Sequence, residues 1–202
     1  MNKVNCILSL MIVICCFSSC QETEQPGKIN LEELTIAGIH RAYMEGNYNS
    51  QDLVAAYIAA IEMTDKEINA ITLIHPEALN VARSLDKEYQ KSKTLRPLHG
   101  IPLIVKDNIN TIGLPTTAGS FALQDFLPEE NAFVIQKLVE AGAIILEKSN
   151  MAEWAFSPMH TESSTHGTTR NPYNLKFVPA GSSGGTAAAV AANMAVVGLG
   201  TD

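Results

Sequence analysis

The sequence predicts an α/β fold built on buried parallel strands, and three stretches predict it. Leu103-Ile104-Val105 is a short apolar, β-leaning run, bounded by Pro102 before it and by polar Asp107-Asn108 after it. A run without polar alternation is the pattern of a strand covered on both faces. Ala143-Ile144-Ile145-Leu146 repeats the pattern, and residues 129–141 between the two carry a helical one. Strand, helix and strand in that order read as parallel strands joined by a crossover. A third apolar run, Ala195-Val196-Val197-Gly198-Leu199, follows an alanine-rich stretch near the end of the chain.

The elements can be taken in order. Asn30 with Glu33 three residues on is a capping-box-like start for a first helix. Leu34, Ile36, Ile39, Tyr43 and Met44 follow at roughly helical spacing, and Gly46 stops the run. Ser50 reads as the N-cap of a second helix, with Asp52 in its first turn and Leu53, Val54, Tyr57, Ile58 and Ile61 on one face. Ile71-Thr72-Leu73-Ile74 is a short strand that Pro76 ends. Residues 76–91 read as an exposed helix with Leu79, Ala82 and Leu85 inward. Thr111 to Phe126, rich in scattered Gly and Pro, reads as loop. Pro128-Glu129-Glu130 suits a helix start, and Phe133, Val134, Leu138 and Val139 form its expected inner face. Ser149-Asn150-Met151 closes the second strand, and residues 152–178 are loop-rich, a length often tied to function.

Composition narrows the function classes. The chain has 202 residues, 46% hydrophobic and 17% charged, enough for one domain with a core. The formal net charge of −7 argues against a nucleic-acid partner, which wants a basic face. All four cysteines, Cys6, Cys15, Cys16 and Cys20, fall within the first 20 residues. The later residues therefore offer no cysteine nucleophile, disulfide or cysteine metal site. Lys3, the apolar run Ile7 to Phe17 and the close Phe17-Ser18-Ser19-Cys20 have the layout of a signal peptide over residues 1–19. This end resembles a bacterial lipoprotein box, which implies cleavage before Cys20, lipidation of its sulfur, and a polar tether over residues 20–28. The protein is then expected in the cell envelope, held on a lipid bilayer through Cys20. An ordinary secretory signal and an uncleaved anchor are the competing readings.

Two features carry the chemistry. Pro179-Ala180-Gly181-Ser182-Ser183-Gly184-Gly185-Thr186 frames two serines with glycines just before the alanine-rich helix. It can be read as a flexible connection, as an anion cradle at a helix start, or as an active-site element. It is not a Walker loop, because no Gly-Lys-Ser/Thr closes it. Lys106 stands at the end of a buried strand, where α/β folds place chemistry. Dehydrated there, a lysine loses its proton readily and can serve a serine hydroxyl as base. His40, His75, His99, His160 and His166 are scattered, without metal-type spacing. A serine–lysine arrangement is the better chemical fit.

Those two features, with His99-Gly100-Ile101-Pro102, Lys106-Asp107-Asn108, Ala141-Gly142-Ala143, Lys148-Ser149-Asn150-Met151 and Thr169-Arg170-Asn171-Pro172, resemble the amidase signature family from about Leu31 to Asp202. The resemblance implies a mixed β-sheet covered by helices on both faces, and a hydrolase for small-molecule carboxylic amides with no cofactor or metal. It implies that Lys106 is the general base, that Ser182, after a cis peptide bond from Gly181, bridges protons, and that Ser183 supports the network. The nucleophile is implied to be a further serine beyond Asp202, after the Gly200-Thr201-Asp202 stretch. Residues 29–202 are then the N-terminal part of the domain, an incomplete fold expected to be inactive alone. Ala180, where the family usually has glycine, and Asn131, where an acid is common, depart from the pattern. Two other readings stay open: the glutaminase component of a glutamyl-tRNA(Gln) amidotransferase, and a non-enzymatic ligand-binding lipoprotein.

Overall fold

The computed structural model describes residues 29–201; the expected signal peptide and the whole tether with Cys20 lie outside the described residues, as does Asp202. Helices α1 (Ile36–Glu45) and α2 (Ser50–Ile68) lead into strand β1 (Ile71–Ile74) and helix α3 (Ala78–Ser92). Strand β2 (Pro102–Lys106), helix α4 (Phe133–Glu140) and strand β3 (Ile144–Ser149) follow. A two-residue hairpin, β4 (Glu162–Ser163) with β5 (Gly167–Thr168), interrupts the long loop before helix α5 (Gly184–Ala191) and strand β6 (Val197–Leu199).

The sheet is mixed, in the order β1-β3-β2-β6. β2 runs parallel to both β3 and β6, as the crossover pattern predicts, and β1 runs antiparallel to β3. All five residues of β2 and all six of β3 are buried. Successive strand residues point to opposite faces, so both faces of the central pair are covered. Tyr57 and Leu53 of α2, Ile104 of β2 and Leu146 of β3 belong to one apolar core.

Helix starts differ from the sequence reading by small, explicable amounts. α1 begins at Ile36 because Thr35, and not Asn30, caps it, accepting from the Gly38 N–H at 3.1 Å. Asn30 closes a local turn to the Glu32 N–H, and Glu33 takes a φ of 53°, outside any helix. α2 is capped by Asn49, one residue before the expected Ser50. Asn49 Oδ1 accepts from the Asp52 N–H, and the Asp52 carboxylate accepts from the Asn49 N–H, a reciprocal box.

α4 begins at Phe133, and its inner face is not the expected one: Phe133, Val134 and Val139 are exposed, while Ile135 is fully buried. The cause lies upstream. The Ala132 N–H donates to Asn110 O and the Ile112 N–H to Asn131 Oδ1, which holds residues 131–132 against the preceding loop and delays the helix.

β3 also runs past its expected end through three polar residues. Each is accommodated differently. Ser149 hydrogen bonds Thr186 on α5 at 2.6 Å. Lys148 forms a buried ion pair. Glu147 has no hydrogen-bond partner for either carboxyl oxygen, and burial, with Asp65 nearby, holds its pKa well above the usual carboxylate range.

Candidate active site

The site forms where two parallel strands leave the sheet at the same edge. β6 lies beside β2 with Val105 opposite Leu199, so Lys106 and the Gly200-Thr201 stretch emerge together. Lys106 is fully buried. Its Nζ lies 2.7 Å from Ser182 Oγ, 2.9 Å from Ser183 Oγ and 2.7 Å from Thr201 Oγ1. Asn108 Nδ2 also donates to Thr201 Oγ1, at 3.1 Å. Among the described residues no carboxylate pairs with Lys106. Burial therefore acts unopposed and holds the amine below the usual lysine range.

The glycine-framed loop is fixed in place, which removes the reading of it as a flexible connection. The Gly181 N–H donates to Pro158 O, the Ala152 N–H to Ser182 O, and Thr161 Oγ1 to Ala180 O. The peptide bond between Gly181 and Ser182 is cis. Its glycines serve close approach: a Cβ at Gly181 would strike the carbonyls of Ser157 and His160, and one at Gly185 would strike the Asn150 backbone. Ser183 is the N-cap residue of α5, and its hydroxyl turns away from the helix. That hydroxyl donates to Thr201 O at 3.0 Å and accepts from the Thr201 N–H at 3.2 Å.

The structure thus brings together Lys106, Ser182 and Ser183, the three residues singled out in the sequence. It adds Thr201 and Asn108, which sequence reasoning missed. The Asn108 signal was its place two residues after a strand-end lysine. Thr201 becomes visible only once β6 is registered on β2.

A second buried lysine stands on the neighbouring strand. Lys148 Nζ lies 3.3 Å from Asp107 Oδ1, and donates to Ile109 O at 2.9 Å and to Thr116 Oγ1 at 3.0 Å. Asp107 in turn accepts from the Thr117 hydroxyl and, at 3.3 Å, from the Thr117 N–H. Burial draws the Lys148 amine down and Asp107 pulls it back.

The other matched motifs are scaffold. Gly142, at a φ of 99°, packs on the His99 backbone, where a Cβ would collide. Buried His99 reaches Leu85 O at 3.1 Å. Asn150 binds Gly167 O, Thr169 Oγ1 and Ser163 Oγ, tying the long loop to β3.

A buried lysine amine facing a serine pair at a strand end, on a mixed α/β sheet, places a potential base against hydroxyl groups. The chain matches the Amidase family over residues 52–202. It is 43% identical over 175 residues to the A component of the glutamyl-tRNA(Gln) amidotransferase of Natranaerobius thermophilus, and 45% identical over 173 residues to that of Nitratidesulfovibrio vulgaris. These alignments cover 86% and 85% of this chain and 35% of each relative. The native peptide amidase of Stenotrophomonas maltophilia superimposes with a TM-score of 0.79 at 40% identity, over 83% of this chain and 36% of that one. The chain belongs to the amidase family, has its α/β fold, and spans about a third of the length of these relatives.

Proposed function

We propose that this chain supplies the proton relay of an enzyme that hydrolyses carboxylic amides. The observation that carries the reading is the Lys106 amine, buried at 2.7 Å from Ser182 Oγ with no carboxylate in ion-pair contact among the described residues. A neutral amine has two N–H groups and one lone pair. Directed at Ser183 Oγ and Thr201 Oγ1, its two hydrogens leave the lone pair for the Ser182 hydroxyl. Ser182 can then take a proton from a second hydroxyl while passing its own to Lys106.

The nucleophile belongs, on this reading, to the two thirds of the family length that the chain does not span. Its oxygen attacks the amide carbonyl as its proton moves through Ser182 to Lys106. The tetrahedral oxyanion then collapses, the C–N bond breaks, and the same proton returns to the leaving amine. Water repeats the sequence in place of the nucleophile, and the acyl-enzyme is hydrolysed to acid and free serine. The test is release of amine or ammonia from a panel of carboxylic amides by the protein expressed from its gene, with Ser182→Ala alongside. Turnover that drops in the variant supports the relay; turnover that survives in full removes it.

The amidotransferase relatives favour a second reading, in which the amide is that of glutamine and the ammonia passes to a partner protein. Glutamine hydrolysis that rises when the other amidotransferase components are added would select it. Against it stands the lipoprotein-like Phe17-Ser18-Ser19-Cys20, which supports a membrane-held enzyme facing an extracytoplasmic space. Fatty-acid labelling that is present in the wild type and lost in Cys20→Ser checks the anchor; no label in either form rejects it.

A further inference from the structure

Asn108 stands two residues past the base, just beyond the end of β2, and the relay leaves it without a task. Its Nδ2 donates to Thr201 Oγ1 at 3.1 Å, and that hydroxyl lies 2.7 Å from Lys106 Nζ. Its other amide atom, Oδ1, is buried and meets no donor among the described residues. One neutral hydrogen bond returns about 0.5–1.5 kcal/mol, whereas an orphaned buried acceptor costs about 1–3 kcal/mol. On those contacts the amide does little for stability, and its one bond leads to the amine.

The amine needs that bond. A lysine ends in a group that turns about Cε–Nζ, and two fixed acceptors stop the rotation. Ser183 is one of them. Its hydroxyl hydrogen is committed to Thr201 O and one lone pair to the Thr201 N–H, which leaves the other lone pair for a Lys106 N–H. Thr201 Oγ1 is the second acceptor. A threonine side chain has more than one staggered position, and the backbone bonds from Thr201 to Ser183 do not choose among them. Among the described residues, Thr201 Oγ1 meets Lys106 and Asn108 alone. Asn108 is therefore what holds the hydroxyl in place for the amine. With both acceptors fixed, the remaining direction on the nitrogen is left for Ser182 Oγ, at 2.7 Å.

We propose that Asn108 is a positioning residue: by donating to Thr201 Oγ1 it holds that hydroxyl against Lys106 and keeps the lone pair of the amine on Ser182. The inference rests on Lys106 being the base of the proposed relay. It gives Asn108 no contact with substrate.

The test is a double-mutant cycle with Thr201→Val, in the protein expressed from its gene. Asn108→Leu removes the N–H donor, and Asn108→Asp removes it while keeping the side-chain shape. Because Asn108 acts through Thr201, either change should lower kcat for a hydrolysed amide by at most about tenfold, with KM unchanged. In the Thr201→Val background the same changes should alter kcat by less than about twofold. A residue that merely supports the fold would lower kcat equally in both backgrounds. That result, or full turnover in both single variants, overturns the proposal.

The 13Cε resonance of Lys106, assigned by its loss in Lys106→Met, reads the same cycle without substrate. It should move in Asn108→Leu and stay put when Asn108→Leu is added to Thr201→Val, with the Lys148 resonance unmoved throughout. An unmoved Lys106 resonance in Asn108→Leu, equal movement in both backgrounds, or movement of Lys148 as well overturns the proposal. Full turnover in Lys106→Met would instead refute the base reading, and the resonance cycle would still decide whether Asn108 acts on Lys106 through Thr201.

Discussion

Lys106 and Lys148 make an internal control. Both are buried lysines at the ends of adjacent parallel strands, Lys106 beside Ser149 and Lys148 beside Val105 in register. Lys106 faces three hydroxyls; Lys148 faces a carboxylate, a carbonyl and one hydroxyl. The difference teaches that burial alone does not make a base. Dehydration lowers both amines, and the partner decides whether the proton is easily given up or held.

The same substitution at the two sites should therefore break different properties. Lys106→Met is expected to lower amide turnover on the order of a thousandfold or more, since the relay loses its acceptor. Its stability should hold or rise. The pKa of Lys106 is depressed in the fold, so its contribution to stability is lost as pH falls through that depressed value. At neutral pH a lysine there costs stability that methionine does not. Lys148→Met should do the reverse. It leaves the buried Asp107 carboxyl without its ion-pair partner, and the fold should lose about 3–5 kcal/mol in chemical denaturation. Equal damage to turnover and stability at both sites would erase the contrast.

Glu147 sharpens it further, as a buried carboxyl with no hydrogen-bond partner among the described residues. Its folded-state pKa is raised, so the stability it contributes is full below the unfolded carboxylate value and is lost as pH rises through the folded one. Glu147→Gln should match the wild type near pH 4 and exceed it by about 1–3 kcal/mol at pH 8, with a flatter pH profile between. Parallel profiles for the two proteins would contradict the burial argument. The smallest effect is expected at Thr201. Thr201→Val removes one hydroxyl from Lys106 and one acceptor from Asn108, and should lower turnover about tenfold with little change in melting temperature. An unchanged rate would place Thr201 outside the relay.

These contrasts mark what was legible in the sequence. The buried strands were, because unbroken apolar runs are a strong pattern at Leu103–Val105 and Ile144–Leu146. Lys106 and Ser182 were joined only through a family resemblance; nothing in their spacing of 76 positions foretold a 2.7 Å contact. Helix starts were blurred because Asn30 and Thr35, or Asn49 and Ser50, are equally good caps until the chain's direction is known. Lys148 was quoted within a motif and given no task. A lysine and an acid together at the end of each apolar run, Lys106-Asp107 and Glu147-Lys148 in opposite order, were its signal. Which lysine meets the carboxylate depends on strand register, which no local pattern contains.

The central claim is that Lys106 is the amine that gives up its proton first. Titration of the Lys106 and Lys148 13Cε resonances in the wild-type full-length protein measures that directly. Lys106 is expected to titrate below the ordinary lysine range and before Lys148. Lys106 titrating after Lys148, or at the ordinary lysine value, would contradict it.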